Sequence, residues 1–158
     1  MSKLSNLKIV PFQVVEIRQL VDVIDAVCAD TPWMQTRRFE PTGAWQHALM
    51  NQDCHCHALA LAKVDHQIVG WYRLFPVDDL ILSSVELGIG VLSLYRRKGL
   101  GMAMMTCAIS WARERKLSQI VLTTHVQNRQ AIKLFEKVGF KINGSNGSRL
   151  RMNLDNWA

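Results

Sequence analysis

The sequence predicts an α/β or α+β domain built on a mixed sheet, and three observations carry that prediction. Residues 86–140 run from an apolar strand through a basic, glycine-broken loop into a helix, a second strand and a further helix. Upstream, residues 58–64 and 68–75 read as a pair of antiparallel strands joined around Asp65-His66-Gln67. The chain has 158 residues and is 49% apolar, enough for one compact domain spanning residues 1–158 with a substantial core.

Taken in order, residues 7–10 make a short strand edged by Pro11. Residues 14–28 follow as an amphipathic helix, with Val15, Ile17, Leu20, Val21, Val23, Ile24 and Val27 as its apolar set. Asp30-Thr31-Pro32 interrupts that pattern, and residues 33–39 read as a short helix or a loop forming part of a substrate wall. Pro41-Thr42-Gly43 breaks the chain again before a helical stretch at 44–50. After the strand pair, 76–80 is a connection and 84–91 a strand. The clearest long helix is 99–116, with Met102, Met105, Ile109 and Ala112 as its packing stripe. A strand at 119–126 and a helix at 128–138 follow, and Gly139-Phe140 ends the helix. Residues 141–142 and 149–154 complete the sheet, with Gly144-Ser145-Asn146-Gly147-Ser148 between them as a hairpin or surface loop.

A formal net charge of +6 favours an anionic ligand. The basic residues are spread along the chain, and neither a zinc-finger nor a leucine-zipper signature is present, so nucleic acid is not expected. The opening MSKLSNLKIV reads as neither an anchor nor a secretory signal, and no apolar run is long enough to span a bilayer. The cysteines are Cys28, Cys54, Cys56 and Cys107. Cys54-His55-Cys56-His57 resembles a metal motif in composition, but neighbours on a strand alternate faces and no second close-spaced cluster follows. It is read as a local structural segment, with no metal expected and a reducing, cytoplasmic location.

Arg96-Arg97-Lys98-Gly99-Leu100-Gly101 is neither a Walker loop nor a full dinucleotide fingerprint. Its glycines allow close backbone approach, and it opens a helix. A diphosphate would therefore meet N–H donors from Arg97 to Met102. With the strand holding Glu86 before it and NRQAIKLFEKVGF (128–140) after it, the chain strongly resembles the GNAT superfamily of acyl-CoA-dependent N-acetyltransferases. The resemblance implies a mixed, mostly antiparallel central sheet flanked by helices, with acetyl-CoA as cosubstrate. It implies that Ile89, Gly90 and Val91 lie along the pantetheine arm. Arg96, Arg97, Lys98, Gly99, Leu100, Gly101 and Met102 would hold the pyrophosphate, and Asn128, Ala131 and Phe135 would border the thioester end.

Acyl transfer needs a neutral amine, and a lysine-like amine with a pKa of about 10.4 is mostly protonated near neutrality. Glu86 is the expected base, directly or through water, and the backbone near Val91 the expected carbonyl polariser. Many family members carry a tyrosine where this chain has Phe135, which has no hydroxyl to protonate the thiolate. Solvent, Tyr95 or Tyr72 are the substitutes. Direct transfer is expected, with Cys107 a packing residue. The acceptor wall is sought among Trp33, Met34, Arg37, Arg38, Phe39, Trp45, Trp71 and Tyr72. The expected partner is a small-molecule amine, with a homodimer left open. The alternatives are a noncatalytic acyl-CoA-binding regulatory domain and a protein N-acetyltransferase.

Overall fold

The computed structural model describes residues 6–77 and 83–155. The opening residues 1–5, and the 78–80 part of the connection expected at 76–80, lie outside them. The order is β1 (Leu7–Pro11), α1 (Ile17–Asp30), α2 (Gly43–Met50), β2 (Ala58–Val64), β3 (Gln67–Pro76), β4 (Ser84–Val91), α3 (Leu100–Glu114), β5 (Gln119–His125), α4 (Arg129–Lys137), β6 (Lys141–Asn146) and β7 (Arg149–Leu154). Short 3-10 turns precede α1 at Val14–Glu16 and follow β4 at Ser93–Tyr95.

The strands form one seven-stranded sheet in the order β1-β2-β3-β4-β5-β7-β6. Every pairing is antiparallel except β4 with β5. The mixed, mostly antiparallel sheet flanked by helices is therefore as expected. Asp65 and His66 both take positive φ, 51° and 71°, the handedness that lets a two-residue turn fold β2 onto β3. Strand β2, ALALAKV, shows how the faces divide. Ala58, Ala60 and Ala62 pack under α3, where the bulky Met104 and Met105 fill the space they leave. Leu59 and Leu61 alternate to the other face and pack with Leu20, Val23, Ile24 and Val27 of α1 and Ala48 and Leu49 of α2.

Several local readings shift. Val15 is 79% exposed because the helical segment begins as a 3-10 turn, whose threefold repeat carries it off the buried stripe. On α3 the buried set is Leu100, Met104, Met105, Ala108 and Ala112, and Met102 and Ile109 are only partly covered. Residues 33–39 form no helix. Strand β6 runs to Asn146, because Gly144, Ser145 and Asn146 pair with Arg151, Leu150 and Arg149 of β7. Among the described residues, no helix is long and apolar enough to cross a membrane.

Candidate active site

The parallel ladder between β4 and β5 has only three pairs, Ser84–Gln119, Val85–Ile120 and Glu86–Val121. Beyond Glu86 the strands part: β4 stays on β3 as far as Val91–Gly70, while β5 continues on β7. The bond from Leu92 N to Val69 O (2.9 Å) sets the phase of the β3 ladder. Backbone groups alternate sides along a strand, so Ile89 and Val91 turn theirs toward the side that β5 has left. Arg96 crosses the end of this opening. Its Nε donates to Val91 O at 2.9 Å and its Nη1 pairs with Asp30 Oδ2 at 3.0 Å. Arg96 thus ties the loop to β4 and α1, a use of its charge that its place in a basic run does not suggest.

The loop then enters α3 through left-handed backbone at Arg97 (φ 60°) and at Gly99 (φ 87°, ψ 3°). Glycine adopts the second conformation at no steric cost. Ala103 is the first N–H to reach a helical acceptor, Gly99 O at 3.1 Å. The N–H groups of Leu100, Gly101 and Met102 precede it with no helical carbonyl behind them, and no side chain among the described residues caps this end. Arg97 and Lys98 make no ion pair among the described residues. With the Gln130 amide oxygen turned toward it, Arg97 donates from Nε at 3.0 Å and from Nη2, linking the loop to α4. A Cβ at Gly101 would lie 3.0 Å from Leu134 Cδ2, so this glycine also lets α4 approach.

Glu86 faces the α1–α2 side of the sheet, where β3 presents Trp71, Arg73 and Phe75. These stand opposite Gly90, Gly88 and Glu86 on β4. Arg73 lies across Gly88, and its Nη2 reaches Glu86 Oε1 at 3.1 Å. The guanidinium also rests on the Phe75 ring, 4.6 Å from its centroid. The Glu86 side chain remains 45% exposed. Next to it, Arg149 forks between two elements: Nη1 donates to Trp33 O at 2.7 Å, and Nη2 donates to Thr123 O at 3.1 Å and Oγ1 at 3.2 Å. Its Nε is buried with no partner among the described residues. Burial lowers the Arg149 pKa, and the Glu86 charge works against that shift. Trp33 stacks at a tilt on His125 (4.7 Å), and Gln35 Nε2 donates to Thr123 Oγ1 at 3.1 Å. Gln35, Thr123, Ser145, Asn146, Arg149 and Arg151 line a cleft of about 430 Å³.

The remaining expected residues are distributed unevenly around this centre. Trp45 packs edge-on against Phe75 (5.1 Å), with Phe39 behind it at 5.2 Å. Met34 packs against the same cluster, while Arg37 and Arg38 are exposed. Trp71 and Tyr72 are adjacent and take opposite faces, so Tyr72 lies in the α3 core, away from Glu86. Burial and the nearby Cys107 push its phenol up to about 12, with Arg115 opposing. Tyr95 is half-buried after β4, and Cys107 packs against the α3 core. Asn128 caps α4, its Oδ1 accepting from Ala131 N at 3.4 Å, and Ala131 packs against the core. Phe135 is buried and meets Phe140 with ring centroids 5.9 Å apart. The two phenylalanines flank a Schellman stop, with Phe140 N bonded to Phe135 O and Gly139 N to Glu136 O, each at 3.0 Å. Gly139 supplies the positive φ of 112° that the stop needs.

Comparison with known proteins fits this geometry. The model of the acetyltransferase (GNAT) family matches residues 20–140. The chain belongs to the GNAT acetyltransferase family. An acetyltransferase of that family from Streptococcus pneumoniae superposes with a TM-score of 0.84 at 21% identity, over 94% of this chain and 99% of that one. The Salmonella typhimurium protein yncA, solved with its cofactor acetyl-CoA, gives a TM-score of 0.79 at 15% identity, over 96% and 94%. Among curated proteins, N-acetyltransferase family 8 member 3 of Rattus norvegicus is 31% identical over 93 residues. That match takes in 57% of this chain but only 41% of the rat protein's length.

Sequence reasoning missed Arg73, Gln35, Thr123, Arg149 and Arg151. Arg73 carried a usable signal: a lone cation in the apolar run IVGWYRLF, on the parity of Trp71 and Phe75. For Arg149 the signal was absent, because its partners lie 116 and 26 residues away in sequence.

Proposed function

We propose that this chain is an N-acetyltransferase that moves an acetyl group from acetyl-CoA to the primary amine of a small molecule by direct transfer. The observation that carries the reading is the parting of β4 from β5 beside an uncapped helix end. Pantetheine has amides and little charge, which suits the backbone groups of Ile89 and Val91 turned into the opening. A pyrophosphate suits the N–H groups of residues 97–102, with the α3 dipole and the charges of Arg97 and Lys98 in support. Arg96 acts here as the tie that holds the loop, and Gly90 as the space for the Trp71 ring. Asn128 shapes the start of α4, while Ala131 and Phe135 set its distance from the core.

In this mechanism Glu86 takes a proton from the ammonium group, through water, and the free lone pair attacks the thioester carbonyl. The backbone N–H near Val91 stabilises the resulting oxyanion. Collapse breaks the C–S bond, the nitrogen gives up its extra proton to water, and the thiolate leaves with a proton from water or from Tyr95, since Phe135 has none to give. Arg73 holds the Glu86 carboxylate in place. The cleft lined by Arg149 and Arg151 supports an amine that also bears an anionic group, and its volume of about 430 Å³ supports a small one. Acetyl-CoA consumption with mass detection of products, across amino acids, polyamines, aminoglycosides and peptides, tests the reading. Highest catalytic efficiency on a small anionic amine is expected. Highest efficiency on a peptide or folded protein would overturn the acceptor class, and binding of acetyl-CoA without transfer to any amine would overturn the enzyme.

A further inference from the structure

The α2–β2 junction holds a second cluster of reactive side chains, on the far side of Phe75 from Glu86. His47 sits on the exposed side of α2, and Cys54, Cys56 and His57 follow in the loop that leads into β2. Their ligand atoms, two sulfurs and two imidazole nitrogens, all lie within 4.8 Å of one another. Cys56 Sγ is 3.5 Å from His47 Nε2 and 3.5 Å from His57 Nδ1. Around a tetrahedral zinc ion, with Zn–S about 2.3 Å and Zn–N about 2.0–2.1 Å, a sulfur and a nitrogen stand about 3.5 Å apart. The two sulfur–nitrogen separations therefore already match two edges of that tetrahedron.

We propose that His47, Cys54, Cys56 and His57 form a structural zinc site that fastens α2 and the following loop to the start of β2. Two thiolates and two neutral imidazoles around a divalent ion give a centre of no net charge, which a half-buried position accommodates. Four protein ligands leave no open position, so the site is structural rather than catalytic. The thiolates favour zinc over magnesium or calcium, which take oxygen ligands. The structure joins Cys54 to Cys56 as a disulfide, so the pair must first be reduced. A dithiol supplies the two electrons and two protons that turn the disulfide into two thiols, becoming a disulfide itself. Zinc then displaces the two thiol protons as it binds.

The site bears on the rest of the molecule through Phe75. The His57 ring lies 5.3 Å from His47 and 6.4 Å from Phe75. Trp45, on the same helix as His47, meets Phe75 from another side. Phe75 stands opposite Glu86 in the β3–β4 ladder. A metal ion here would hold α2 and the start of β2 against Phe75 of β3, and it would do so whether or not the acetyl-transfer reading is correct.

The test uses the full chain, reduced with a phosphine and freed of metal by a chelator. Titration against a chromophoric zinc indicator should show one zinc per chain. Cobalt substitution should give the thiolate charge-transfer band and strong visible absorption of a tetrahedral site. Cys54→Ser and Cys56→Ser should each weaken zinc binding by about a hundredfold or more, and His47→Gln by about tenfold or more. Cys56 and His47 are exposed, so those variants keep the fold, which circular dichroism checks. Three results would overturn the proposal: no stoichiometric zinc in the reduced protein, a pale octahedral cobalt spectrum, or unchanged affinity in Cys56→Ser or His47→Gln.

Discussion

Replacing Gly90 with alanine probes the packing behind the site. The added Cβ would sit 2.3 Å from Trp71 Cη2 and 2.5 Å from Cζ3, far inside the ~3.5–4.0 Å of ordinary carbon contact. Trp71 is 3% exposed and lies among buried neighbours, so the ring cannot swing aside freely. Overpacking of this kind costs about 1–3 kcal/mol, and a clash against three ring atoms belongs at the upper end. Alanine recovers about 0.5–1 kcal/mol of the strand cost of glycine, leaving a net loss of about 2 kcal/mol. Urea unfolding followed by circular dichroism should show that loss in Gly90→Ala. In a Trp71→Leu background the clash is gone and the same substitution should stabilise by about 0.5–1 kcal/mol, a coupling of about 3 kcal/mol. A cost below about 0.5 kcal/mol, or an equal cost in both backgrounds, would refute the claim that Gly90 exists to seat the indole.

Glu86→Gln should retain acetyl-CoA affinity by calorimetry while turnover falls by about a hundredfold or more; unchanged turnover would remove Glu86 as base. Arg149→Lys gives up the fork between Trp33 O and Thr123 O, because one ammonium cannot span both elements. It should cost about 2 kcal/mol in chemical unfolding and raise the acceptor KM while leaving acetyl-CoA affinity alone. Tyr72 has a folded-state pKa of about 12 against an ordinary 10.0, so the fold favours the neutral phenol. Its contribution is complete below pH 10 and is lost as the pH climbs from 10 to 12, by up to about 3 kcal/mol. Unfolding of Tyr72→Phe across that range should lack this loss.

Much of the sheet is legible in the sequence because its signals are local. Strands β2, β4 and β7 fall within the residues that apolar runs and turn residues mark out, and α3 is announced by its glycine loop. What fails to show is whatever depends on a distant partner. Gly144-Ser145-Asn146 reads as a loop by composition, yet β7 gives its backbone a ladder to join. The basic run at 96–98 looks uniform, but Val91 O and Asp30 claim Arg96. Tyr72 is one residue from Trp71, and strand alternation alone sends it to the other face. The Cys54–His57 segment looks incomplete as a ligand set until α2 brings in His47, nine residues before Cys56.

Residue-resolved amide hydrogen exchange, with and without acetyl-CoA, tests the placement of the cofactor between β4, β5 and the start of α3. Slowed exchange is expected at Ile89 and Val91 and across residues 97–102, with β1, β2 and α1 unchanged. Acetyl-CoA that binds while those amides exchange at their original rates, or that protects a different surface, would contradict that placement.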